Sequence, residues 1–367
     1  MTLFRAEVFD KEFNFIGLYT IAESGMSLIW DYIVPENSTI VIPGKTLISK
    51  RNYVRIRAEG DEIYTGIVED YTYDNNRTTV NLRRPISLFD LNVYMDTALI
   101  PDMSLERWVG KYISETFGPS DPYQEITGLS ITYNSETFGE IDEDDKDLYN
   151  LHDVIVHIFN VYGIVMKAEI DIPNQAFSIE FTKVDSESIY KFNTQFSDVL
   201  DYEIKVTGSS KKPNKIRYLN DDDLEEELTY YWHPSEFEGS VDTDPTTNRV
   251  IPVYMTTKRV AAVEERVDKD GNVTKEGKTF QEVAYEDAMK SMYQDRWNDM
   301  ISVMVIAHSV TVPIGEIGQL YRIYDDDFNH PTILTAIERI NDNVVRLTFG
   351  TVRTRLTQLL KLEGRTL

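Results

Sequence analysis

Hydrophobic and polar positions alternate through residues 1–98. Tyr53-Val54-Arg55-Ile56-Arg57, Ile63-Tyr64-Thr65-Gly66-Ile67-Val68 and Thr78-Thr79-Val80-Asn81-Leu82 change face at each step. The breakers Ala58-Glu59-Gly60-Asp61 and Asp74-Asn75-Asn76-Arg77 stand between them. Short alternating runs closed by turn clusters predict antiparallel strands in a barrel or sandwich. The period changes after Pro101. Leu105, Trp108, Val109, Tyr112, Ile113 and Phe117 fall on one helical face, with Ser104 as N-cap and Gly118-Pro119 as the stop. A second helix begins near Asn150, burying Leu151, Val154, Ile155, Ile158 and Tyr162 and closing at Gly163. Strands over 164–172 and 176–181 follow.

Alternation returns at Asp201–Val206 and Lys215–Tyr218. The Asp270-Gly271 step within Val267–Thr274 predicts a hairpin tip. A helix from Thr279 to Met300 carries two adjacent rows: Phe280, Ala284, Ala288 and Met292, and Tyr285, Met289, Tyr293 and Trp297. The expected architecture is α+β and multidomain. It has a first antiparallel β-barrel over 1–98 and an α+β insertion over 99–198. A second, similar barrel is assembled from 199–235 and 301–352, around a hairpin-plus-helix insertion at 236–300. A C-terminal helix over 353–367 ends it.

Composition narrows the function classes. Hydrophobic residues make up 41% and aromatic residues 11%, enough to fill a core, so an unfolded acidic chain is excluded. The net charge of −25 argues against binding DNA through its phosphates or gripping an anionic membrane. With no cysteine there is no disulfide, thiolate zinc site or cysteine nucleophile. The opening residues read as no signal peptide and no apolar run reaches bilayer length.

Candidate chemistry is sparse. His152 and His157 are five apart, one too many for a zinc-peptidase helix, and Asp153 replaces the required glutamate. No nucleophile elbow or phosphate-binding glycine loop occurs, so no catalytic, cofactor or metal residue is assigned and no cofactor is expected. Three acidic clusters stand out: Glu140 with Asp142, Glu143, Asp144, Asp145 and Asp147; Asp221-Asp222-Asp223; and Asp325-Asp326-Asp327. None has the EF-hand spacing, and each reads as a solvated or channel-facing loop. Tyr285, Tyr293, Trp297 and Trp232 are candidates for a subunit or partner interface, against the plainer reading of core aromatics.

A weak internal repeat is the most informative feature. Val54-Arg55-Ile56 echoes Tyr321-Arg322-Ile323. Ile63, Thr65 and Ile67 echo Ile333, Thr335 and Ile337, with Gly66 against Ala336. Thr79-Val80-Asn81-Leu82 echoes Val344-Val345-Arg346-Leu347, and a leucine-bearing segment follows each copy. Strands of isoleucine, valine and threonine also resemble one another by chance, so the letters leave both readings open.

Beyond the repeat, the chain resembles the phage tail hub family: baseplate hub proteins of contractile tails and the amino-terminal modules of siphophage tail-associated lysins. Gly60-Asp61-Glu62-Ile63-Tyr64-Thr65-Gly66-Ile67-Val68 carries the resemblance. So does Leu347-Thr348-Phe349-Gly350 with Arg353, Arg355, Leu356 and Leu359-Leu360, together with the module order along nearly the whole chain. The resemblance implies a structural protein, not an enzyme. It would be a homotrimer that closes the distal end of the tail tube and opens for DNA ejection. Implied partners are a hexameric distal tail protein, the tape measure protein and receptor-binding or other baseplate proteins, with DNA only in transit and no membrane. The implied location is the virion tail tip, after assembly in the host cytoplasm. The chain stops at Leu367, which argues against lysin activity in this polypeptide. On that reading the acidity lines a lumen that repels phosphates; surface carboxylates maintaining solubility explain it equally well. The alternative function is a cell-wall protein that binds or hydrolyses glycans through carboxylates and aromatics.

Overall fold

The computed structural model describes residues 3–22, 25–33, 36–120, 123–139, 141, 146–205, 213–223, 225–233, 240–245, 255–262, 266–267, 273–275, 277–292, 297, 299–326 and 328–350. The first module contains β1 (Phe4–Phe9), β2 (Phe15–Thr20), β3 (Met26–Asp31), β4 (Ser38–Pro43), β5 (Tyr53–Ala58), β6 (Asp61–Asp74) and β7 (Arg77–Arg83). Alternation builds its core: Phe4, Ala6 and Val8 of β1, Ile40 and Ile42 of β4, and Val80 and Leu82 of β7 all turn inward and are buried.

An α+β segment follows, with β8 (Asn92–Asp96), α1 (Leu105–Phe117), β9 (Leu129–Tyr133), β10 (Lys146–Asn150), α2 (Leu151–Tyr162), β11 (Ile164–Asp171) and β12 (Ala176–Lys183). The helix signals work as the sequence indicates. Ser104 Oγ accepts from Arg107 N, Asn150 Oδ1 accepts from Asp153 N, and Gly163 ends α2 at φ 68°. β11 pairs antiparallel with β12, which takes β9 as a parallel neighbour.

The chain then forms β13 (Ile189–Asn193) and β14 (Val199–Lys205) before a separate compact unit over residues 207–296. That unit holds β15 (Lys215–Asn220), β16 (Glu227–His233), β17 (Ser240–Asp242), β18 (Met255–Val260), the hairpin of β19 (Arg266–Val267) and β20 (Val273–Lys275), and α3 (Phe280–Met292). Phe280, Ala284, Ala288 and Met292 face a sheet ordered β17-β16-β15-β18 and are buried against Ile216, Tyr218 and Trp232. Thr279 and Glu282 exchange hydrogen bonds as a capping box. β15 and β16 were expected in the second barrel. They belong instead to this unit's own sheet, because their pairing partners are each other, β17 and β18.

The second module is completed by β21 (Met300–Ile306), β22 (Leu320–Asp325), β23 (Phe328–Arg339) and β24 (Val344–Gly350). Its strand order, β14-β21-β24-β23-β22-β13, repeats β3-β4-β7-β6-β5-β1 of the first. The last pair differs in sense: β13 runs parallel to β22, whereas β1 is antiparallel to β5. Loop hydrogen bonds recur in the same places. Gly44 N donates to Asn76 O (2.8 Å) and Ala307 N to Asn343 O (2.8 Å); Arg51 N donates to Val68 O (2.9 Å) and Gly318 N to Leu334 O (2.8 Å). The long central strand bulges at one point in each copy, between Val68 and Asp70 and between Leu334 and Ala336.

These registers correct part of the sequence echo. Tyr53–Ala58 corresponds to Leu320–Asp325, as the first pair of echoed segments has it, and Arg77–Arg83 corresponds to Val344–Gly350. However, Gly66 lies opposite Val54 and Thr332 opposite Tyr321, so Gly66 corresponds to Thr332 and not to Ala336. Val80 likewise corresponds to Leu347. An even slip along a strand keeps every side chain on its face, so alternation cannot detect it.

Among the described residues neither module closes into a barrel. Their ladders run together as one 13-stranded sheet, because β3 spends its free edge on β23. The segment after the first copy forms a short 3-10 turn at Pro85–Phe89. Its expected counterpart and the helix over 353–367 lie outside the described residues.

Candidate functional site

The seam between the modules is the most informative surface. Along it Leu28 faces Arg339, Ile29 faces Glu338, Trp30 faces Ile337 and Asp31 faces Ala336. Tyr32 N continues the seam to Thr335 O at 3.1 Å, and Ser27 Oγ donates to Glu338 Oε1 at 3.3 Å. Glu338 also pairs with Arg346 of β24, so the seam is tied into the second module. Thr335, the bulged residue, is buried and donates to Gly350 O at 2.9 Å.

The repeat supplies a counterpart for each side of this seam. β6 corresponds to β23 and β14 to β3. Beyond Ile67, β6 pairs only with β7, and β14 pairs only with β21, among the described residues. Burial follows the missing neighbours. Leu28 is fully buried, whereas its counterpart Ile204 is half-buried; Ile337 is half-buried, whereas its counterpart Tyr71 is 44% exposed and the nearby Tyr73 49%. The chain therefore makes one such seam and carries both halves of a second on separate edges.

The acidic candidates scatter. Asp221, Asp222 and Asp223 form the β15–β16 turn, where Asn220 Oδ1 accepts from Asp222 N and Asp223 Oδ1 from Glu225 N. Asp325 accepts from Thr194 Oγ1 (2.7 Å) and Tyr202 Oη (3.0 Å), fastening β22 to β13 and β14. Asp326 is exposed at a positive φ in the β22–β23 turn. Asp142, Glu143, Asp144, Asp145 and Asp327 lie outside the described residues. No group of three His, Asp or Glu side chains among the described residues is placed to hold a metal ion.

The aromatic candidates divide. Trp232 and Trp297 are buried and spent on the chain's own packing, and Tyr293 lies outside the described residues. Tyr285 remains exposed on α3 with its ring 5.9 Å from that of Tyr230. His152 is buried, its Nε2 3.2 Å from the Tyr32 carbonyl, so it joins α2 to the first module.

Sequence reasoning missed a cleft of about 750 Å³ where β11 faces the seam. Arg84 lies in its wall, its guanidinium 6.0 Å from the Trp30 ring and 5.8 Å from that of Tyr64. Burial pushes its pKa down. No pattern marks such a residue in advance, because the three walls come from distant stretches of chain.

No protein-family model matches the chain, and no curated protein matches it. Solved structures that share its fold include two tail proteins. The tail protein from Neisseria meningitidis MC58 is 11% identical, with 95% of this chain and 96% of that one covered and a TM-score of 0.50. The 43 kDa tail protein of prophage MuSo2 from Shewanella oneidensis is 10% identical, with 96% and 98% covered and a TM-score of 0.53. The match runs through both modules and what lies between them, so the resemblance read from the sequence is borne out as a likeness of fold: the chain has the fold of these tail proteins.

Proposed function

We propose that the chain is a structural tail hub whose copies assemble head to tail as a homotrimer around a channel. The observation that carries this reading is the seam made once within the chain and left half-made on β6 and β14. If β14 of one copy lies against β6 of the next, three chains give a ring of six similar modules joined by six similar seams. A heterologous contact of this kind forms a ring when its rotation closes. The fold shared with two tail proteins supports the same role. The ring would close the distal end of a tail tube, next to a hexameric distal tail protein and the tape measure protein, and would open for DNA ejection. The charge of −25 suits a channel wall, since a negative lumen keeps phosphates from sticking; a neutral or basic lumen in an image of the assembly contradicts that part.

The test is assembly. Light scattering on the purified protein should give three chains per particle. Tyr71→Asp with Tyr73→Asp should give monomers, because both side chains lie on the edge that receives the neighbour. Fold stability of the monomer should change by only about 0.5 kcal/mol, as for other exposed positions. A monomeric wild type, or a trimer that survives the double change, overturns the reading.

A further inference from the structure

β11 is an edge strand. Its sheet is ordered β11-β12-β9, so β12 covers one side of it and, among the described residues, no strand covers the other. Hydrogen bonds in the same sheet fix which backbone groups of β11 stay outside the ladder. Phe177 N donates to Gly128 O and Asn134 N to Phe181 O, so the odd-numbered residues of β12 turn their backbone groups toward β9. The even-numbered ones bond to β11, where the register sets Thr182, Glu180 and Ser178 opposite Val165, Lys167 and Glu169. The N–H and C=O groups of Met166, Ala168 and Ile170 therefore point away from β12. Met166 N donates to Tyr32 Oη at 3.0 Å. Among the described residues no backbone or side-chain group does the same for Ala168 or Ile170.

Ala168 and Ile170 are buried and line the cleft of about 750 Å³ beside the seam. A buried backbone group without a partner costs about as much as a lost hydrogen bond, so this edge favours whatever can pair with it. Arg84 lines the same cleft. Among the described residues its guanidinium has no hydrogen bond and no ion pair. It has the rings of Trp30 and Tyr64 beside it, and Glu169 acts on it only at longer range. The other two cations of the lining are taken, Lys167 by Glu316 and Arg339 by Asp342. Ile63, Ile314 and Ile317 also line the cleft and remain partly exposed.

We infer that the cleft is a docking site for an extended segment of another polypeptide, which joins β11 as a fourth strand and brings an aspartate or glutamate to Arg84. The free edge asks for a strand, because its open groups recur at every second residue and only an extended main chain matches that spacing. Arg84 asks for a carboxylate, which its planar fork can hold through two parallel hydrogen bonds. A doubly charged phosphate fits less well, since Glu62, Glu169 and Asp171 also line the cleft. The exposed isoleucines give apolar side chains of the segment a surface to cover. Every wall of the cleft comes from one chain, so the inference does not rest on the trimeric reading.

The experiment uses the purified full chain and, as probe, a blocked peptide of alternating valine and threonine with one central glutamate. Hydrogen exchange resolved to single amides is the first readout and titration calorimetry the second. In the free chain Ala168 and Ile170 should exchange faster than Val165 and Lys167, which bond to β12. The peptide at millimolar concentration should slow Ala168 and Ile170 by about tenfold or more and leave Met166 as it was. Glutamine in place of the peptide's glutamate should weaken binding by about tenfold, and methylating its alternate backbone nitrogens should abolish it. Arg84→Gln should bring the glutamate peptide down to the affinity of the glutamine peptide and leave the latter unchanged. The peptide changes leave the protein's fold untouched, so they decide the matter even where Arg84→Gln unfolds it. Slow exchange of Ala168 and Ile170 in the free chain overturns the inference, and so does exchange that the peptide does not alter. Equal affinity for the glutamate and glutamine peptides, or protection by acetate alone, overturns it as well.

Discussion

Arg51 and Gly318 show what one backbone position demands. They are counterparts in the repeat, and both sit at positive φ, 68° and 88°. Each N–H donates to the bulged strand opposite, to Val68 O or Leu334 O, and that geometry requires the left-handed conformation. Glycine adopts it freely, whereas a side chain there costs about 1–2 kcal/mol. Arg51 is exposed, so Arg51→Gly should stabilise the protein by roughly 0.5–1 kcal/mol, offset in part by unfolded-chain entropy. Gly318→Ala should do the opposite, and by more, since a Cβ there would press on Val165 of β11. Urea unfolding midpoints decide both signs. Neither position was legible beforehand: Arg51 carries no turn signature, and Gly318 is one of 18 glycines.

At the scale of elements, Asp198 holds the 307–319 loop to the start of β14. Its Oδ2 accepts from Ser309 Oγ (2.8 Å), Thr311 Oγ1 (2.9 Å), Val310 N (3.1 Å) and Thr311 N (3.2 Å). The hydroxyls of Ser309 and Thr311, then the Thr311 amide, hold its pKa below the ordinary carboxylate value. A depressed carboxylate stabilises the folded form above the unfolded pKa and loses that contribution as pH falls through the folded one. The Val310 and Thr311 amides should therefore be protected from hydrogen exchange at neutral pH. They should lose protection as pH falls below the ordinary carboxylate range, and Asp198→Ala should remove it at neutral pH. Protection that persists in Asp198→Ala refutes the clasp. Helices were the most legible elements, because caps and one-sided apolar rows are local signals. Ser104, Asn150, Gly163 and the Phe280–Met292 row all act as their positions indicate; the helix expected to reach Met300 does not, since Trp297 stands in a turn and Met300 opens β21. Strand membership was less legible: β15 and β16 alternate like strands of the second module, but only their partners assign them to another sheet.

For the whole molecule, buried tyrosines set an alkaline limit. Burial pushes Tyr53 up to about 12 and raises Tyr32, Tyr64 and Tyr321 as well. Below the ordinary tyrosine value near 10 these groups are neutral in both folded and unfolded chains, and their contribution is intact. As pH rises past 10 the unfolded chain ionises first, so stability falls toward the raised values. The thermal midpoint should drop above pH 10, with tyrosinate absorbance from these residues appearing together with unfolding. Ionisation of all 22 tyrosines before unfolding counts against this. The sequence by itself determined most element types, the helix starts and the acidity, because periodicity, caps and charge are written in neighbouring residues; it offered the repeated β unit as one of two readings. Only the tertiary structure decided the register of the repeat, the seam that joins β3 to β23 instead of closing two barrels, and the withdrawal of Trp232 and Trp297 into the core. Those depend on which distant strand fills an edge. Alternation fixes the face that a side chain takes but leaves its partner open.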